Sequence, residues 1–132
     1  MGVSAARAPF QIAFHVPGEL SADLDIKWTA PCDMTLLHVS AVASDANAFG
    51  ITIGDSDDAD EFLTKSSAGV SGTPAEFDGD DFVDTSGDTH NCYYPRIADG
   101  TVVAIAVDYD YNGGGGAAAS EDPTIVLTLV PD

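Results

Sequence analysis

The longest regular run in the chain is Thr101-Val102-Val103-Ala104-Ile105-Ala106-Val107-Asp108-Tyr109-Asp110-Tyr111. Val103, Ile105, Val107, Tyr109 and Tyr111 fall on one side of it, and Ala104, Ala106, Asp108 and Asp110 on the other. A period of two puts successive side chains on opposite faces of a β-strand. The aspartates in its second half predict a strand that runs out of the core into water.

Working outward, the same alternation recurs. Phe10, Ile12, Phe14 and Val16 alternate with Gln11, Ala13 and His15 and stop at the Pro17-Gly18 turn. Leu24, Ile26 and Trp28 alternate with Asp25, Lys27 and Thr29 before Ala30-Pro31. Met34–Ala43 is apolar on both faces, which predicts a central strand covered on each side. Phe49, Ile51 and Ile53 predict a short strand closed by Gly54. Ile125, Leu127 and Leu129, with Thr124 and Thr128 opposite, predict a last one. Between residues 54 and 100 the pattern is poor. Glu61–Lys65 and Phe82-Val83 read as short strands, with a single helical turn near Ala59–Lys65 as the alternative for the first. Gly113–Gly116, extended by Ala117–Ala119, reads as a hairpin tip or loop. No long helix, internal repeat or linker is legible. The expectation is an all-β fold, an antiparallel, jelly-roll-like β-sandwich of about eight strands. Its single domain would span residues 10–132, after a flexible N-terminal arm of residues 1–9.

The 132 residues include 22 acids, eighteen of them aspartate, against four bases, for a formal net charge of −18. Area scaling with mass lets a chain of this size bury about two-thirds of its unfolded surface, and 45% hydrophobic residues can supply the core. The charge excludes a nucleic-acid partner, because counterion release needs a patch of lysine and arginine. It also disfavours anionic membrane surfaces. There is no apolar run of the roughly 20 residues that a spanning helix needs, and no secretory h-region is legible at the start. Spread evenly, one net charge would occupy roughly 360 Å², a spacing near 19 Å. That exceeds the screening length of about 8–10 Å, so clusters matter more than the total.

Two clusters stand out, Asp55-Ser56-Asp57-Asp58-Ala59-Asp60-Glu61 and Asp78-Gly79-Asp80-Asp81-Phe82-Val83-Asp84. Adaptation to high salt and an acidic secreted or virion surface explain them equally well. No acid precedes Glu19, so residues 1–18 carry only Arg7 while the remainder carries the negative charge. Arg7, Ala8, Pro9 and Phe10 are therefore candidates for contact with a partner subunit, the alternative being a frayed terminus.

Candidate chemistry is sparse. Asp55, Asp57 and Asp60 could offer oxygens to calcium, but they lack the glycine and terminal glutamate of an EF-hand loop, and solvated loops are the simpler reading. His15, His38 and His90 form no metal-ligand spacing, and His38 reads as a hydrogen-bonded core residue. In His90-Asn91-Cys92 the neighbouring side chains of an extended segment point to opposite faces, which does not build a nucleophile–base pair. No two carboxylates are marked out for glycoside cleavage. Cys32 and Cys92 could pair or stay reduced. Trp28 with Tyr93, Tyr94, Tyr109 and Tyr111 could furnish a sugar-stacking platform or simply fill the core and rim. No cofactor is implied.

Phe14-His15-Val16-Pro17-Gly18-Glu19-Leu20 followed by Ala30-Pro31-Cys32-Asp33-Met34-Thr35-Leu36 resembles the opening of small β-sandwich virion proteins of tailed bacteriophages. The likeness continues through Val39–Ser44, Ile53-Gly54-Asp55, Ala98-Asp99-Gly100-Thr101 and Thr124–Val130, and so covers roughly residues 10–132. It rests on turn and strand pieces and carries no catalytic motif. The resemblance implies a non-enzymatic capsid decoration or cement protein, or another head or tail surface protein, assembled in the host cytoplasm and carried on the virion. Its partners would be the major capsid protein or neighbouring virion subunits, and it would act as a symmetric homo-oligomer, a trimer being favoured. The alternative is a carbohydrate- or receptor-binding β-sandwich module on a head fibre or tail.

Overall fold

The structure, a computed structural model, describes residues 8–84, 92–111 and 118–132. These form nine strands and no helix: β1 (Phe10–His15), β2 (Leu24–Thr29), β3 (Met34–Val42), β4 (Gly50–Gly54), β5 (Leu63–Ser67), β6 (Ala75–Phe77), β7 (Arg96–Ile97), β8 (Val102–Asp108) and β9 (Thr124–Pro131). One sheet has the order β1-β9-β3-β6, with β7 also on β3, and the other the order β2-β8-β4-β5. Every strand pairing is antiparallel.

Both β6 and β7 lie on the same edge of β3, β6 opposite Val39–Ala41 and β7 opposite Met34 and Thr35. They continue one another along that edge, and the described residues between them, 78–84 and 92–95, form an excursion away from it. Counted as one, they leave eight strands, with the chain crossing between sheets at nearly every connection, which is the jelly roll of two Greek keys.

The inward positions of both sheets make one core. Met34, Leu36, Val39, Phe49, Ile51, Ile53, Val103, Ile105, Leu127 and Leu129 are fully buried, and their strand partners bring them face to face between the layers. The period-2 reading thus places β1, β2, β4, β8 and β9 correctly. The long strand ends at Asp108, where its aspartate side meets water, so Tyr109–Tyr111 leave the sheet.

Three local expectations need correction. The strand expected at Glu61–Lys65 is shifted to Leu63–Ser67, and no helical turn precedes it; the backbone of Glu61 instead donates to the Asp58 carbonyl in a turn. Phe82-Val83 is not a strand: it lies in the excursion, with Phe82 buried in the core and Val83 donating to the carbonyl of Phe62 at 3.0 Å. His38 is not a core residue. A register shift between Leu36 and His38 turns both Leu37 and His38 outward, so His38 is 35% exposed and stands 3.4 Å from Glu76. Among the described residues no third layer covers that outer side of β3.

Candidate functional site

The strands carry three acids, Asp25, Glu76 and Asp108, and three bases, Lys27, Lys65 and Arg96. Their formal sum is zero. The other nineteen acids and Arg7 lie outside the described strands and account for the whole −18. The strand charges are also paired. Lys27 lies 3.5 Å from Asp25, Lys65 2.5 Å from Asp108, and Arg96 2.7 Å from Asp132 just beyond β9. A chain of net charge −18 therefore carries described strands of zero net charge between acidic loops.

Neutrality is most complete on the outer face of the five-stranded sheet. Three rows of side chains cross β1, β9 and β3 there: Gln11–Thr128–His38, Ala13–Val126–Ser40 and His15–Thr124–Val42. A fourth row joins Val130 to Thr35. Gln11 Nε2 donates to Thr128 Oγ1 at 3.2 Å, and His15 Nδ1 lies 2.8 Å from Thr124 Oγ1, so the rows are tied laterally. No carboxylate interrupts these rows. Glu76 and Arg96 stand at their β6 and β7 margin. These partly exposed rows, without a carboxylate of their own, are a candidate surface for contact with another protein, since a fully desolvated contact tolerates few unpaired charges.

The outer face of the four-stranded sheet differs. It holds a groove of about 570 Å³ floored by Val102, Ala104 and Ala106 and rimmed by Asp25, Lys27 and the first acidic loop through Asp55, Ser56 and Ala59. That loop is built from its own backbone. Asp55 Oδ1 accepts from the amides of Asp57 and Asp58, both at 2.9 Å, and Asp58 Oδ1 accepts from Asp60 at 3.3 Å. Gly54 permits the turn, because a Cβ there would run into the carbonyl of Asp58. The crowding shows in its acids. The hydrogen bond with Asp58 and that neighbour's charge push the Asp60 carboxyl up, while partial burial and then the surrounding aspartates do the same to Glu61.

The acids that do converge come from separate elements. Asp23, Asp108 and Asp110 bring ligand oxygens within 4.8 Å of one another at the end of β8. Lys65 neutralises part of this group. Its hydrogen bond holds Asp108 below the usual carboxylate range, Asp108 raises Lys65 in return, and Asp110 is pushed up chiefly by its hydrogen bond with Asp108. The Lys65 ammonium also sits 5.0 Å from the centre of the Tyr111 ring.

The remaining candidates are scattered. Cys32 is half-buried and Cys92 exposed, and neither forms a disulfide. Trp28 is opposite Val103 near one end of β8, whereas Tyr109 lies beyond the other end, so they do not form one aromatic platform. Tyr93 and Tyr94 belong to the excursion, where Tyr93 donates its amide to the Gly79 carbonyl at 2.8 Å. A Cβ on Gly79 would meet Cys92 Sγ, so the two limbs of the excursion touch there. Ala8 and Pro9 are exposed, and Phe10 opens β1 with its ring packed against the core. Arg7 and His90 lie outside the described residues. The neutral face went unread because β1, β3 and β9 are far apart in the chain; the signal available was that none of their predicted segments contains an acid.

The described residues thus form an antiparallel jelly roll whose strands carry no net charge and whose acids lie mostly in the loops. The chain is similar in fold to a chain of the cyanophage Pam1 capsid asymmetric unit, with a TM-score of 0.55 and 16% identity, over 100% of this chain and 89% of that one. No protein-family model and no curated protein matches the sequence.

Proposed function

We propose that this chain is a non-enzymatic structural protein of a virion, docked on the outside of the capsid as a symmetric oligomer, a trimer, that decorates or cements the shell. The observation that carries the proposal is the distribution of charge. The described strands carry no net charge, and the β1, β9 and β3 rows of one sheet face hold no carboxylate, which leaves them for contact with a shell protein. The fold shared with a chain of a cyanophage capsid unit supports the same reading, as does the resemblance to phage virion proteins in the strand and turn motifs. The acidic loops keep the free protein soluble before assembly. Residues 10–132 act as one domain in this reading, and Arg7, Ala8, Pro9 and Phe10 lead an arm onto a neighbouring subunit.

The test is co-sedimentation of the purified chain with undecorated capsids of its virus. Stoichiometric binding is expected, weakened at least tenfold by Val126→Asp at the centre of the neutral face and unchanged by Ser56→Asp in the acidic loop. Absence of binding by the wild-type chain, or equal binding by Val126→Asp, overturns the proposal.

A further inference from the structure

The two long sides of the sandwich are finished differently. Where β5 and β6 end the sheets, the excursion crosses from one layer to the other: Phe82 and Phe62 are buried side chains of the core, and the Val83 amide bonds to Phe62. Gly69, just after β5, donates to Ala41 and accepts from Ala43 of the facing sheet, at 2.9 and 2.8 Å. Backbone thus bridges the layers on this side.

On the opposite side, β1 and β2 end their sheets with no strand beyond them among the described residues. The inward side chains of both are only half-buried: Phe10, Ile12 and Phe14 from β1, and Leu24, Ile26 and Trp28 from β2. Large apolar groups therefore line a seam between two strands whose outer edges pair with no strand among the described residues, a combination that native folds usually blunt or cover.

From this geometry we infer that the β1–β2 seam is the contact between copies of this chain, facing the symmetry axis of the oligomer. The inference rests on the oligomer of the proposed function and names its interface. Charge selects the occupant. A basic partner could settle on any of the acidic loops. A partner carrying −18 itself is repelled from all of them and can approach only where acids are absent or paired. A second copy is such a partner, and because the proposed function gives the carboxylate-free β1–β9–β3 face to the capsid, the seam is the acid-poor surface left for it. β1 has no charged side chain apart from titratable His15, and β2 has only Asp25, paired with Lys27. Strands of six residues make the seam about 20 Å long, with the layers about 10 Å apart. A standard interface covers about 800 Å² per partner, so the contact must spread from the seam onto flanking side chains such as Lys27 and Thr29.

Two exposed threonines give a matched test. Thr29 lies on β2 at the open side and Thr64 on β5 at the closed side. Sedimentation equilibrium of the full chain should show a concentration-dependent oligomer whose dissociation constant rises at least tenfold in Thr29→Glu and stays unchanged in Thr64→Glu. Hydrogen exchange of the wild type should slow in β1 and β2 on concentration, a readout independent of any substitution. A wild type monomeric throughout the concentration range, equal dissociation of the two variants, or protection arising elsewhere overturns the inference. Capsid binding separates it from the proposed function: Val126→Asp should lose capsids yet keep the oligomer, and Thr29→Glu should lose the oligomer first.

Discussion

The closed and the open side of the sandwich contain similar side chains but spend them differently. On the closed side an aromatic, Phe82, is carried in by a connection and lost from water, at 6% exposure. On the open side Phe14 and Trp28 are held by their own strands, with no further strand beyond them among the described residues, and each keeps part of its surface exposed. What differs is the connecting chain: among the described residues the excursion carries Phe82 into the core on one side, whereas on the other the β1–β2 connection carries in only Leu20. A sandwich can be completed by its own loops or by a neighbour, and this molecule leaves one side for the second solution.

The comparison makes ordered predictions for stability. Phe82→Ala should be the most damaging change, costing about 3–5 kcal/mol for a buried ring, as measured by denaturant unfolding. A loss below about 1 kcal/mol would mean that the excursion does not close the core. Gly69→Ala should follow at about 1–3 kcal/mol, because its Cβ would meet the Thr73 carbonyl backbone. The drop in Tm is the readout.

Phe14→Ala on the open side should cost about 1–2 kcal/mol in the dilute chain, since less of its area leaves water. Its cost should grow with protein concentration if the seam is covered by a second copy, and a concentration-independent value would blunt the contrast between the sides.

The smallest effect is on pH, and its sign follows from the shifted acids. Asp60, Glu61 and Asp110 bind protons more tightly folded than unfolded, so lowering the pH through their raised values stabilises the fold. Asp108 and Asp122 are held low, Asp108 by Lys65 and Asp122 by the Gly18 amide and Ser44. Their contribution is present above the ordinary carboxylate range and is lost as pH falls through their depressed values. Lys65 is raised, and its share disappears only as pH climbs through its folded value in strong alkali. Tm should therefore rise slightly as the pH falls from neutral through the raised acids and drop again as it falls through the depressed carboxyls of Asp108 and Asp122. A Tm that falls steadily from pH 7 would show that the crowded acids do not govern.

The alternation of Phe10–His15, Leu24–Thr29 and Val102–Asp108 was legible because each strand has one wet side, which stamps a period of two on the residues. β6 and β7, of three and two residues, are too short to show a period, and the excursion separates them, so the eighth strand could not be assembled from sequence. His38 was misplaced because one extra residue in β3 reverses inward and outward beyond it, a change that alternation alone cannot detect. The acidic loops were visible as composition. The convergence of Asp23 with Asp108 and Asp110 was not, because pairing of β2 with β8 brings them together from distant parts of the chain. The acid-free start was likewise visible, but the place of β1 at the end of its sheet emerged only from the sheet order.

The pairing of β1 with β9 also sets the order of events during synthesis. His15 and Thr124 are 109 residues apart in sequence yet neighbours in the sheet. At about 5–20 residues per second, β1 waits roughly 5–20 s for its only described partner strand to be made. Through that interval Phe10, Ile12 and Phe14 travel without a sheet, and the jelly roll closes only after the last strand has left the ribosome. The long delay favours a nascent chain whose later segments repel one another, and the aspartates that follow Glu19 provide that repulsion before there is any folded surface for them to decorate.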